Sequence, residues 1–309
     1  MFINLSFKGC WYNDNLAQLS NSKPAIVHKR DSISYTLKYN HFSPEFMDLK
    51  LVDVHCHLEH ELFQPDLDAV IKRARDAGVK HIICSGVNPP TNKQVLDIAK
   101  KYSDIVRCSL GIYPIDALGI APDATGLAIH KGVIDLDDEF DFINNHKDQI
   151  VGIGEVGMDY HWDQEHHVQQ KANFERIIEF TEKLHKPIII HSRKAEADCI
   201  QMLKSSRLKK VNLHCFSGNK HVIKEAADAG FFFSIPANIV KAQNFQTLVK
   251  LVSLSQLLTE TDAPWLSPDQ KRNEPVQVLR SIEMIAHIKG LTIEETSLAI
   301  FGNYQRIFE

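Results

Sequence analysis

From residue 51 onward, short runs of apolar and β-branched residues alternate with longer stretches in which apolar positions recur every three or four residues. That rhythm predicts repeated βα units and a parallel sheet. Eight runs read as strands, at residues 51–55, 81–86, 105–112, 150–155, 187–191, 211–214, 231–235 and 257–262. Between them the pattern predicts helices over 66–77 closed by Gly78, 91–102, 164–185, 221–229 closed by Gly230, and 274–289 closed by Gly290. Eight strands with intervening helices over residues 48–309 fit a (β/α)8 TIM-type barrel, which takes about 250 residues. A doubly wound open sheet is the other arrangement that such alternation allows. The stretch 116–136 is long for a βα connection and carries Pro122 and three glycines. It reads as an insertion on the catalytic rim or, by preference, as a surface excursion.

Residues 1–46 break the rhythm, with no helical periodicity, several Asn and Ser, and one alternating run, Ile33-Ser34-Tyr35-Thr36-Leu37-Lys38-Tyr39, that fits a lone strand. This extension stands apart from a catalytic domain at 47–309. Two readings remain open for it. Either Met47 is the native start and the preceding residues are upstream sequence read as coding, or the segment is an appendage covering the barrel's N-terminal end. Mass spectrometry decides, because an intact native mass that includes residues 1–46 rejects the first.

Composition narrows the function without naming it. With 35 Lys plus Arg against 39 Asp plus Glu, the formal charge is −4, so any polyanion is met locally rather than by a global basic excess. The six cysteines are scattered, lack Cys-x-x-Cys spacing and mostly sit in apolar runs, which favours a reducing, cytoplasmic compartment. No stretch approaches the roughly 18 apolar residues needed to span a bilayer, and the N-terminus lacks signal-peptide features.

Candidate chemistry starts at Asp53-Val54-His55-Cys56-His57, where strand alternation turns His55 and His57 to one face with Asp53 beside them. A His-x-His alone is weak evidence for a metal. Active sites of βα barrels, however, lie at the C-terminal ends of the strands. There the pattern places His55 and His57 on strand one, Glu155 on strand four, His191 on strand five, His214 on strand six and Asp262 on strand eight. Four imidazoles and two carboxylates suffice for two divalent ions if Glu155 bridges them, with open positions left for water and substrate. Arg193 offers a planar fork to phosphate two residues past His191, and Arg272 with Asn273 follows strand eight on the same rim. Asn273 also suits a helix cap ahead of Glu274-Pro275, and Arg193 a salt bridge. His161 and Trp162 are candidates for stacking on a base or for packing under the loop.

At this point the chain resembles the TatD family of metal-dependent hydrolases, among the amidohydrolase-like barrels. The resemblance covers residues 48–309 and rests on Leu51-Val52-Asp53-Val54-His55-Cys56-His57-Leu58, Gly152-Ile153-Gly154-Glu155-Val156-Gly157-Met158-Asp159-Tyr160, Ile190-His191-Ser192-Arg193, Leu213-His214-Cys215-Phe216-Ser217-Gly218, Glu260-Thr261-Asp262-Ala263-Pro264 and Arg272-Asn273-Glu274-Pro275. It implies a barrel with a divalent metal centre (Zn, Mn or Mg), phosphodiester hydrolysis on DNA and a cytoplasmic location. It also implies that His55, His57, Glu155 and Asp262 hold one metal and Glu155, His191 and His214 the second. Asp262 then takes the proton of the attacking water. Several positions depart from the family pattern: Tyr113 and Ile115 stand where two histidines are usual, Val54 replaces Ser or Thr, Glu59 replaces Asp, and the loop between Trp265 and Arg272 is short.

The leading expectation is a deoxyribonuclease trimming single-stranded DNA ends, 3′–5′ exonuclease-like, with no obligate protein partner. The alternative keeps the metals and changes the bond, as in a D-aminoacyl-tRNA deacylase or another ester or amide hydrolase. A non-enzymatic metal-binding protein is the weakest reading, because all six ligand positions are filled.

Overall fold

The computed structural model describes residues 49–122 and 125–309; the extension at 1–46 and its expected strand lie outside the described residues. Eight parallel strands follow one another in sequence order. They are β1 (Leu51–Cys56), β2 (Val79–Ser85), β3 (Val106–Leu110), β4 (Gly152–Asp159), β5 (Ile188–Arg193), β6 (Val211–Leu213), β7 (Phe232–Pro236) and β8 (Leu257–Glu260). Sequential order excludes the doubly wound alternative, whose strand order reverses midway. Strands β8 and β1 come together through Asp53, whose carboxylate accepts from the Thr261 amide at 2.9 Å and the Thr261 hydroxyl at 2.5 Å. Just beyond, the Asp262 amide donates to the His55 carbonyl and the His57 amide to the Ala263 carbonyl, at 2.9 and 2.8 Å. The result is a TIM-type barrel with its strands ringed by helices.

Those helices form where capping chemistry meets an apolar stripe. After β1 comes α1 (Leu67–Asp76), burying Val70, Ile71 and Ala74. Next, α2 (Pro89–Lys101) opens with a reciprocal capping box between Asn88 and Thr91 and Pro at its first turn. After β3 lie the single turn α3 (Pro114–Ala117) and α4 (Leu136–Asn145), which is capped by the Asp135 carboxylate. Then follow α5 (His167–Leu184), α6 (Glu196–Ser205), α7 (Lys220–Asp228) and α8 (Gln243–Leu251) after β4 to β7. Finally, α9 (Val278–Lys289) buries Val278, Leu279, Ile282, Ile285 and Ala286, the spacing of one helical face, and stops at Gly290 with φ +68°. Each large apolar side chain so buried contributes roughly 1.5–3 kcal/mol. The chain ends in α10 (Ile293–Phe308), started by a Thr292–Glu295 capping box. No helix among the described residues is long and apolar enough to cross a membrane.

Three expectations need correcting. Strand β4 runs to Asp159, four residues past its predicted end, so Glu155 lies within the strand rather than at its tip. Glycines hid the period there: Gly157 has φ +142°, and a Cβ on it would stand 1.9 Å from the His191 carbonyl, so only glycine lets β5 pair this far up. Helix α5 starts at His167 rather than 164, because the Asp163 carboxylate accepts from the amides of Glu165 and His166 and holds residues 164–166 in a capping turn. The described residues 125–128 of the stretch 116–136 are tied to the catalytic rim, so this part is no free surface excursion. Glu61 donates its amide to the Gly126 carbonyl at 3.0 Å, His60 Nε2 lies 2.9 Å from the Thr125 carbonyl, and Asn88 Nδ2 donates to the Ala128 carbonyl. These ties bind the segment to the loops that follow β1 and β2.

Candidate metal centre

All six predicted ligand residues converge at the C-terminal end of the barrel, each less than a tenth exposed. Among the described residues, two clusters have ligand atoms within 4.8 Å of one another: His55, His57 and Asp262, and His55, Glu155 and His214. His55 Nε2 lies 3.2 Å from His57 Nε2, 3.3 Å from Glu155 Oε2 and 3.7 Å from Asp262 Oδ1. His57 Nε2 lies 3.5 Å from the same Glu155 oxygen. The other Glu155 oxygen meets His191 Nδ1 at 2.9 Å and His214 Nε2 at 4.0 Å. Glu155 thus faces all four imidazoles, the place expected of a bridging carboxylate. His191 belongs to neither cluster; Glu155 links it to them, and its ring lies stacked toward that of His214 with centroids 6.3 Å apart.

Behind each imidazole stands a partner for its second nitrogen, as metal-ligating histidines require. Ser85 Oγ sits 3.2 Å from His55 Nδ1, Glu59 Oε1 3.2 Å from His57 Nδ1, and Glu260 Oε2 2.9 Å from His214 Nδ1. Glu59 is itself held by the Cys84 thiol, and Glu260 by the Ser234 hydroxyl and the Cys215 amide. For His191 the roles of the nitrogens reverse: Nε2 is bound by Asp159 Oδ2 at 2.9 Å. The Glu155 backbone reaches its place because the chain just past β3 offers no side chain at Gly111, where a Cβ would come 2.3 Å from the Glu155 nitrogen.

Electrostatics divide the imidazoles. Burial, seconded by the nearby His214, pushes His55 down to about 3. Burial also opposes charge on His214 and His191, but the Glu260 carboxylate raises the first to about 9, and hydrogen bonds to Asp159 and Glu155 raise the second to about 10. Burial would lift Glu155, yet bonds from His191 and His55 hold it well below the usual carboxylate range. Asp262 has no such donors, so burial lifts it to about 6. A donor set of buried Nε2 atoms and carboxylate oxygens, each ring braced from behind, fits a divalent metal.

The rim residues divide. Arg193 closes β5 with its guanidinium 5.7 Å from the ring of Trp162, which is 42% exposed. Arg272 turns away from the centre: its nitrogens donate to both Asp66 oxygens at 2.7 and 2.8 Å, to Glu274 at 2.9 Å and to the Leu62 carbonyl. Asn273 is fully buried and donates to the carbonyls of Thr261 and Trp265, bracing the turn that carries Asp262. Sequence reasoning did not single out Ser85, Asp159 or Glu260 as supports. Asp159 and Glu260 stood inside quoted motifs, but a single sequence does not show which histidine each would meet.

Comparison with known proteins gives a consistent result. The family model described as TatD related DNase matches residues 52–309. Deoxyribonuclease TATDN3 of Homo sapiens is 34% identical over 263 residues, spanning 84% of this chain and 94% of the human protein. An uncharacterized metal-dependent hydrolase of Bacillus subtilis, YabD, is 33% identical over 265 residues, spanning 84% and 98%. Among solved structures, the TatD homolog YjjV of Escherichia coli superposes with a TM-score of 0.73 at 23% identity, covering 84% of this chain and 97% of that one.

Proposed function

The chain belongs to the TatD-related DNase family, and from that premise we propose that it is a metal-dependent deoxyribonuclease working at the strand-end centre around Glu155. The observation that carries this reading is the convergence of four imidazoles on one carboxylate, Glu155, with Asp262 beside His55 and His57 and a partner behind every imidazole. On this reading His55, His57, Glu155 and Asp262 hold one divalent cation, and Glu155, His191 and His214 a second. Such cations, whether Zn, Mn or Mg, supply charge that offsets the phosphoryl oxygens and acidifies water. Asp262 takes the proton as the water oxygen bonds to phosphorus; the ester P–O bond breaks, and the leaving oxygen is protonated from solvent. Arg193 and the exposed Trp162 are suited to a phosphate and a base of a single strand entering from the β4–β5 side. An open 3′ end reaches such a recess more easily than an internal duplex bond. The buried free thiols Cys56, Cys84, Cys108 and Cys199 suit a reducing, cytoplasmic compartment.

End-labelled single-stranded DNA assayed beside D-aminoacyl-tRNA with Mn2+, Mg2+ and Zn2+ tests the reading. Shortened DNA and intact tRNA are expected, with activity abolished by a chelator. Deacylation without chain shortening would transfer the chemistry to an ester hydrolase, a reading that the deoxyribonuclease relatives do not favour. Asp262→Asn should keep most metal and lose turnover, and substantial activity in the metal-replete variant would remove Asp262 from the proton-accepting role.

A further inference from the structure

His191 differs from the other three imidazoles in which nitrogen it turns to Glu155. His55, His57 and His214 turn Nε2 inward, whereas His191 turns Nδ1 inward and Nε2 back to Asp159. The choice is imposed from the Nε2 side. Asp159 Oδ1 is pinned by the amides of His161 and Trp162, both at 2.9 Å, which leaves Oδ2 to be shared by His191 Nε2 at 2.9 Å and the Tyr113 hydroxyl at 2.8 Å. Tyr113 sits just past β3, immediately before α3. Its oxygen is also 3.4 Å from His191 Nε2, and its ring meets the His191 ring edge-on, centroids 4.8 Å apart at 67°. The phenol therefore fixes the acceptor that holds His191 and crowds the ring against turning over.

We propose that Tyr113 is a positioning residue for the cation site containing His191: through Asp159 its hydroxyl keeps Nδ1, and not Nε2, of His191 facing Glu155. The inference rests on His191 being a cation ligand and adds what sets its geometry. Ligand supports of this kind alter metal affinity about 10–100-fold when removed. A phenol suits the task because a neutral O–H is a donor that the Asp159 carboxylate accepts at a fixed angle, without a second positive charge beside the centre.

The test uses the full chain and Mn2+ alone, titrated by calorimetry and by loss of the free-ion paramagnetic signal. Tyr113→Phe keeps the ring and removes only the hydroxyl. One of two Mn2+ equivalents should bind about tenfold more weakly while the other stays unchanged, and Tyr113→His, which can return an N–H donor, should recover part of the loss. In the diamagnetic Zn2+-loaded protein, the His191 side-chain 15N shifts should report a metal-bound Nδ1 in the wild type and a mixture in Tyr113→Phe. Unchanged affinities at both sites, or equal weakening of both, would overturn the proposal. His191→Ala separates the two levels of inference. If it leaves both equivalents intact, His191 is no ligand and both readings fall; if it removes one while Tyr113→Phe alters neither, only the role of Tyr113 falls.

Discussion

The seam between β8 and β1 and the region around β4 and β5 hold the same centre by different means. At the first, candidate ligands are set by main-chain register: Asp262 and His55 share a backbone hydrogen bond, and so do His57 and Ala263. Buried Asp53 ties the two strands by both its oxygens. At the second, β4 and β5 pair in register with Gly157 opposite His191, but the His191 ring is aimed by a relay of side chains, Asp159 and Tyr113. A ligand fixed by register fails only when the barrel opens, whereas one fixed by side chains can lose its aim in an intact fold. Damage at the first seam should therefore appear as lost stability, and damage at the second as lost metal affinity.

Glu155 belongs to both regions, so its loss should produce the largest effect. Glu155→Gln is expected to lower DNA hydrolysis by about 10³-fold and to weaken both Mn2+ equivalents, as read by calorimetry; weakening of one alone would assign Glu155 to one side. Next comes Asp53→Ala, which strands the Thr261 and His55 amides in the core. It should cost about 3 kcal/mol in urea unfolding, and a fold of wild-type stability with impaired metal binding would invert the comparison.

Asp116, in α3 beside Tyr113, offers a pH test of the side-chain-built half. Burial lifts it to about 6, only partly offset by the Asn88 amide. A carboxyl raised above its unfolded value contributes stability that is complete below about pH 4 and lost as pH rises through 6. Measured with chelator present, the stability of the wild type relative to Asp116→Asn should fall by on the order of 2–3 kcal/mol between pH 4 and 7; a pH-independent difference would show that the carboxyl keeps its ordinary value. The smallest effect belongs to Arg272→Ala. Its half-exposed pairing with Asp66 and Glu274 should be worth about 1 kcal/mol, with KM for DNA unchanged. A raised KM at unaltered stability would return Arg272 to the substrate, as the sequence suggests.

The strands were legible because a parallel sheet buried on both faces writes near-continuous apolar runs such as Ile188-Ile189-Ile190. The candidate ligand residues could be picked out because metal-capable side chains near the C-terminal ends of barrel strands are themselves a functional signal. Less legible was whatever depends on contacts between distant segments. Arg272 looks like a phosphate fork in sequence, and only the fold brings Asp66 to it across the rim. The segment 116–136 has loop composition, and its place on the rim is decided by His60 and Asn88, far away in the chain. Asp159 lay beyond the predicted end of β4 because Gly154 and Gly157 interrupt the apolar run.

Gly111 carries no chemistry, yet any side chain there would collide with the Glu155 backbone. A saturation scan should therefore rank it beside the histidines in intolerance, although it could be neither titrated nor metallated. Variation tolerated at a position measures the room available as well as the work done, and the empty place beside Glu155 should tolerate as little change as a candidate ligand.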